Sequence, residues 1–528
     1  MVLFLILYTL RLQYTGTDYQ PILHDFSYFG SGIYDVDPLN GGILTAIFNS
    51  FLWSGMWNNL SHVYLLMAGL YFAAVMMLYY VFSRCFRVTM VFPILCLLSP
   101  LVVPGTYYVG AAVSIVPAFF LAALAALGLQ MFADWKSITG VMIFFFAQLG
   151  SLCFCKQTAA FSLVLGLMVI WLNRREMNVG VLLLNVINGG VAVAIYFFVG
   201  LFEEQSVVDL SGLSVSAVWN KIYELFFTAG GQLLSHGMNA GMDLLWKTGV
   251  GHIFLLLVLA CAVAVMGFFL RDCVEHPRVG DSVGELLWSL VLWIAPLIPA
   301  FIVRGAQLQL YGLVPMTVGF ALVCNYVYKL LFRWAFVTRM IGSAVCVVLI
   351  FTMTVGAMYE QRCLQEAGQK DGALLTAIQQ NISLTKRGDK VLLIGSDAMF
   401  SGVFTYGEHI RRITYDDESI NSAVVAARGN LSVGTVHLLS NQQLEEEGGL
   451  TAEELLTYQV VLQVKAGKVE ALQVQQTETE CSLLDSAGNV LWSGAKPVVV
   501  QEEPVEGAMP ETEQPTEQSL SVPEQELA

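Results

Sequence analysis

The stretch TGTDYQPILHDFSYFGSGIYDVDPLNGG, residues Thr15 to Gly42, gathers Asp18, Asp25, Asp35 and Asp37 with His24 and the aromatic residues Tyr19, Phe26 and Tyr28. A carboxylate in a half-dry aromatic setting can have its pKa raised and work as a general base. Asp18 and Asp25 fit that description, because they lie closest to the preceding apolar segment, beside Tyr19 and His24. Asp35 and Asp37 sit in DVDPLNGG, where Asp, Pro38 and a Gly pair read more plainly as turn residues.

Cations that could face these carboxylates are few. Lys156 lies in the tight link CFCKQT and Arg304 in FIVRGAQLQLYG, each between two apolar runs. Either side chain can snorkel to the membrane interface. Either can instead pair with a phosphate, for which a guanidinium is well shaped. His236 and Lys247 are weaker candidates for the same pocket. Ten cysteines show neither a CxxC spacing nor a Cys/His cluster, so no metal site is read from them. Cys363 and Cys481, the two outside the apolar region, are open to pairing in an oxidising compartment or to remaining free thiols.

The elements that must position these residues are membrane helices. The 528 residues are 56% hydrophobic and only 13% charged, against about 25% charged in soluble domains. Mean hydropathy is +0.65. Eleven apolar runs approach the roughly 20 residues that cross a bilayer: 1–10, 63–82, 88–103, 111–132, 138–155, 158–172, 179–202, 253–270, 286–303, 308–328 and 340–358. Lys and Arg concentrate in the loops 84–87, 134–136, 173–175, 271–278 and 329–339. Alternating the spans puts all five on one side, the cytoplasmic side by the positive-inside rule. The other side then receives 13–62, 203–251 and everything from Tyr359 onward. A formal charge of −15 argues against nucleic acid as a partner.

The first run, MVLFLILYTL, is half a span and has neither a basic n-region nor a small-residue cleavage site. The expectation is a helix that begins upstream of a misassigned or truncated start. The outer loops carry amphipathic pieces, GGILTAIFNSFLWSGMWNNLSHVY, VSAVWNKIYELFF and GMDLLWK, that suit helices lying on the membrane surface and roofing a cavity. After Met358 the pattern becomes that of a soluble α/β unit over 359–499. It has a helix at QKDGALLTAIQQNISLTK, strands at DKVLLIGS, RRITYDD and GTVHLLS, a helix at ESINSAVVAARG, and two hairpins turning near Ala466-Gly467 and Gly488-Asn489. LLIGSDAMFSG lacks both GxxxxGK[ST] and GxGxxG, so the unit reads as an accessory domain. The Glu-, Pro- and Gln-rich residues 500–528 read as a disordered tail.

An acidic outward loop after the first helix, interface helices, about a dozen spans and a soluble outer C-terminal domain together resemble the GT-C polytopic glycosyltransferases. Within that group the layout is most similar to the O-antigen glucosyltransferases. The resemblance implies an acidic residue after the first helix that activates an acceptor hydroxyl, and a polyprenyl-phosphate sugar donor whose lipid phosphate leaves. TDYQ at Asp18 and HDF at Asp25 occupy the base position, and Arg304, Lys156, His24 and Tyr19 would bind substrate. The acceptor would be a surface glycan or lipid. Some relatives use a divalent cation, although no ligand cluster here demands one. Competing readings are a transporter or flippase of lipid-linked glycans, a polymerase or ligase of surface glycans, and an envelope scaffold or sensor.

Overall fold

The computed structural model describes residues 1–14, 18–22, 25, 44–45, 47, 59–202, 214–270, 283–299, 312–332, 336–383, 385–386, 388–395, 412–428, 434–446, 449–465 and 468–496. The protein is mainly helical, with a small sheet region near its C-terminus.

Helix α1 (Val2–Arg11) is followed by α2 (Leu60–Cys85), a fully buried α3 (Val91–Leu98), a short α4 (Val103–Tyr107) and α5 (Val109–Trp135). Then come α6 (Ile138–Phe154), α7 (Lys156–Leu172), α8 (Val179–Phe202), α9 (Val215–Ile222), a π-helical segment over Tyr223–Ala229, α10 (Gly230–Thr248) and α11 (Val250–Leu270). The bundle ends with α12 (Val283–Ile294), α13 (Leu313–Phe332) and a 46-residue α14 (Phe336–Asn381). Five of the described helices, α2, α5, α11, α13 and α14, are long and apolar enough to cross a membrane. Shorter apolar helices occupy 2–11, 138–154, 158–172, 179–195 and 283–297.

The run 88–103, expected as one span, is broken. Ser99 precedes Pro100 and takes an extended backbone (φ −65°, ψ 139°), because the proline ring disfavours the helical region for the residue before it. The Ser99 hydroxyl accepts from Leu101 N at 3.2 Å and opens a 3₁₀ turn over Pro100–Val102. A half-helix such as α3 is tolerated inside a bundle because protein, not lipid, surrounds its free end. In the expected surface-helix region 203–251, residues from Val215 to Thr248 are helical, with Ser214 capping α9 by accepting from Ala217 N. Gly249 (φ +113°) follows α10 in a conformation that suits glycine. The equivalent pieces in 13–62 lie largely outside the described residues.

The described basic loops meet at one end of the bundle. Asn173 donates to Gln130 Oε1 at 3.2 Å, which also receives the Cys85 thiol, and Lys136 pairs with Glu176 at 2.8 Å. Asn325 donates to Arg87 O, and the Lys329 ammonium lies 5.8 Å from the centre of the Phe86 ring. Residues 271–278 and 304 fall outside the described residues.

The helix expected at 369–386 is not separate. It is the continuation of the last long apolar helix, so α14 runs unbroken from the bundle into the sheet-containing unit. That unit consists of β1 (Lys390–Gly395), α15 (Asp417–Arg428), β2 (Thr435–Ser440), α16 (Asn441–Glu445), α17 (Ala452–Thr457), β3 (Val460–Lys465), β4 (Lys468–Gln476), β5 (Glu480–Leu484) and β6 (Val490–Ala495). The strand order is β2-β1-β3-β4-β5-β6, with β1 parallel to both β2 and β3 and the rest antiparallel. Alternating side chains place Val391 and Leu393 against α14 and α15, and Leu392 and Ile394 against α16 and α17. The strand expected at RRITYDD is a turn over Arg412–Asp416: Ile413 N donates to Asp371 of α14, and Tyr415 N donates to Arg412 O. Edge strand β2 is closed by α15. Asn421 bonds both N and O of Val436, and Asp417 accepts from Leu438 N. Cys363 and Cys481 are both buried and unpaired.

Candidate active site

Three elements converge on the segment Asp18–Asp25: the N-terminus of α5, the start of α2 and the part of α14 beyond Met358. The first amides of a helix have no partner within it, and its N-terminus favours negative charge. Asp25 uses both properties. Its Oδ1 accepts from Gly110 N at 2.8 Å, while Oδ2 accepts from the Tyr19 hydroxyl at 2.5 Å and from Ile22 N at 3.1 Å. Val109 N in turn donates to the Tyr19 oxygen at 3.2 Å. Asp25 is fully buried. Burial lifts its pKa from 3.8 to about 6, against the pull of the Tyr19 hydroxyl and the backbone amides that stabilise the anion. The Tyr19 phenol is pushed well above its usual range by burial, then by the neighbouring Asp25 charge.

Around this pair stands an aromatic box. The Tyr19 ring lies 5.3 Å from that of Tyr64 on α2 and 5.0 Å from that of Tyr107 at the end of α4. The Tyr107 hydroxyl is 3.2 Å from Gln365 Oε1, and Gln361 Nε2 is 3.4 Å from the Tyr64 hydroxyl. Burial first, then the charge of Glu360 on α14, drives the Tyr108 phenol well above its usual range. At the rim Asp18 is exposed. Its main-chain oxygen accepts from Gln365 Nε2, and its Oδ1 accepts from Gln20 Nε2 at 2.9 Å. Tyr19 N donates to Ser61 Oγ at 3.0 Å, which ties the same segment to the start of α2.

A fully buried arginine lies behind the box. Arg11, at the end of α1, donates from Nη1 to Leu97 O at 2.5 Å and from Nη2 to Thr106 Oγ1 at 3.2 Å. Its guanidinium also lies 5.4 Å from the centre of the Tyr8 ring. A cation at the C-terminal end of half-helix α3 meets the negative end of that helix and its free carbonyl.

The structure thus brings Asp18, Tyr19 and Asp25 together. His24, Asp35, Asp37 and Arg304 lie outside the described residues. Lys156 opens α7. His236 packs edge-on against Tyr359 of α14 at 5.8 Å, and Lys247 is exposed near the end of α10. Sequence reasoning missed Arg11, Glu360, Gln361 and Gln365. Arg11 carried a signal, being a cation at the end of an apolar run just before the acidic segment that holds Asp18 and Asp25. The other three were hidden by a domain boundary drawn at Met358.

Chemically, the arrangement offers one accessible carboxylate, Asp18, on a segment pinned by a second, buried one. Among the described residues no group of three His, Cys, Asp or Glu side chains is placed to hold a metal ion. No known protein family, curated protein or solved structure matches the chain.

Proposed function

We propose that the protein is an integral membrane glycosyltransferase of the GT-C type, with about eleven membrane segments. It moves a sugar from a polyprenyl-phosphate donor to a surface glycan or lipid acceptor outside the cytoplasm. The observation that carries this reading is the pairing of an exposed Asp18 with a buried, helix-anchored Asp25 on a loop remote from the basic ends of the helices. By the positive-inside rule that loop and the α/β domain are extracytoplasmic. Nucleotide sugars are not available there, so a lipid-linked donor fits.

In this reading Asp18 removes the proton from the acceptor hydroxyl as the new glycosidic bond forms. The lipid phosphate departs as an anion and needs no general acid. Asp25 acts through Tyr19, holding the loop against α5 and so setting where Asp18 stands. Arg304 and Lys156 are the proposed phosphate contacts, with Tyr19 and His24 lining the sugar site; a divalent cation would assist the phosphate where one binds.

The test is transfer of radiolabelled sugar from a panel of polyprenyl-phosphate donors by the purified chain, comparing wild type with Asp18→Asn and Asp25→Asn. Asp18→Asn is expected to abolish transfer while remaining folded. Full activity in both variants would remove the loop from the mechanism.

A transporter or flippase of lipid-linked glycans is the second reading. It is favoured by the broken helix α3–α4 at the heart of the bundle, a feature of transporter binding sites. Movement of a labelled lipid-linked sugar across proteoliposomes without any transfer product would select it.

A further inference from the structure

We infer that Gln365 of α14 is a positioning residue for Asp18, so that the helix leading into the outer domain is part of the active site. This rests on the glycosyltransferase reading for its catalytic consequence, but not for its geometry.

The residues involved form one stripe of α14. Gln361, Gln365, Gly368 and Asp371 recur at spacings of four, three and three, which is the spacing of one helix face. Each holds something different. Gln361 reaches Tyr64 of α2. Gln365 spans two groups with one amide: Nε2 donates to the main-chain oxygen of Asp18, and Oε1 stands 3.2 Å from the Tyr107 hydroxyl. Gly368 has no side chain, and a Cβ there would sit 2.9 Å from the carbonyl oxygens of both Gln20 and Pro21. The helix therefore lies directly on the loop backbone. Asp371 accepts from Arg412 Nε and from Ile413 N at 3.1 Å, which fastens the same face to the outer domain.

Gln365 is almost fully buried, at 6% exposure. A buried amide that uses its donor on one chain segment and its acceptor on another fixes their separation. Here the two segments are the Asp18 loop and the end of α4. Neither alanine nor glutamate can replace it. Alanine removes both bonds, and a carboxylate would face the Asp18 carbonyl with no proton to donate.

The experiment has two readouts on the full-length chain in detergent. The first is hydrogen–deuterium exchange of the peptide containing Asp18–Ile22, which needs no substrate. Gln365→Ala and Gln365→Glu are expected to speed its exchange about tenfold by local opening, while the exposed neighbour change Gln369→Ala leaves it at the wild-type rate. The second is steady-state transfer, where both Gln365 variants are expected to lose about 10²-fold in kcat with the donor KM within about twofold. A merely structural role would instead lower the folded yield and leave kcat per folded molecule intact. Wild-type exchange rates in both Gln365 variants would overturn the inference, as would a rise in KM at unchanged kcat. A wild-type chain that transfers no sugar sinks the glycosyltransferase reading alone, because the exchange rates still decide whether Gln365 holds Asp18.

Discussion

Arg11 and Leu97 sit 86 positions apart in sequence and are joined by a 2.5 Å hydrogen bond from the guanidinium to the carbonyl at the end of half-helix α3. The bond explains how a cation can be fully buried in the bundle. The half-helix presents a free carbonyl and the negative end of its dipole, and Thr106 takes a second donor. Arg11→Met should leave that carbonyl unsatisfied and destabilise the protein by about 1–3 kcal/mol, the range for stranding one buried polar group, because the Thr106 hydroxyl keeps its own bond to Val102 O. Arg11→Lys should recover part of this, because one donor can still reach one acceptor. Thermal melts in detergent would rank the three proteins. A melt of Arg11→Met equal to wild type would mean that the break at Ser99–Pro100 needs no cap.

Asp25 should make stability depend on pH. Its folded pKa, about 6, lies above its ordinary 3.8, so between those values the folded protein binds more protons than the unfolded chain. Its contribution is therefore greatest below about pH 4, falls as pH rises, and levels off above about 6. A shift of this size is worth roughly 3 kcal/mol at about 1.4 kcal/mol per unit. Asp25→Asn, which cannot ionise, should flatten the fall between pH 4 and 6 in the same melts. An unchanged slope in the mutant would assign the pH dependence to other groups.

What could be read in advance follows from the range of each interaction. Apolar runs, the alternation in VVLQVK and the Gly488 turn are local patterns, and strands, hairpins and most helices appear where those patterns put them. The break at Ser99–Pro100 was equally local, but an apolar run of adequate length masked it. Two departures from expectation have different causes. The segment from Arg412 to Asp416 has strand-like residues, yet Asp371 takes its amide and holds it as a turn. Hydropathy changes at Met358, yet no helix breaker stands there, so α14 continues to Asn381. At the site, residue types marked Asp18 and Asp25 as candidates. Nothing along the chain could reveal that Gly110 and Tyr19 would bury one of them, or that Gln365 would reach the other's backbone.

Glu285 on α12 and Lys329 on α13 form a buried ion pair, with Nζ 2.6 and 2.9 Å from the two carboxylate oxygens. Both side chains are almost wholly enclosed, at 0% and 2% exposure. Removing one partner strands the other's charge, so Glu285→Leu and Lys329→Met singly should each cost about 3–5 kcal/mol. The double variant removes both charges and should recover most of that loss. A double variant as unstable as either single one would show that the pair contributes packing rather than charge balance.

A close helix crossing sets a stricter demand. Helices α5 and α6 meet at Gly128 and Gly140. A Cβ on Gly128 would stand 2.7 Å from Gly140 O and 2.8 Å from Phe144 N, and one on Gly140 would stand 2.6 Å from Gly128 O and 2.9 Å from Phe132 N. These neighbours are backbone atoms of a facing helix and cannot rotate away, so even one methyl must push the helices apart. Small residues allow such approach in membranes, where close packing rather than expulsion of water drives helix association. Gly128→Ala and Gly140→Ala should each cost about 1–3 kcal/mol, the usual penalty of overpacking. Because both force the same displacement, the double variant should lose less than the sum of the two. Full additivity in detergent melts would mean that the two glycines relieve separate contacts, and that the helices do not move as rigid bodies.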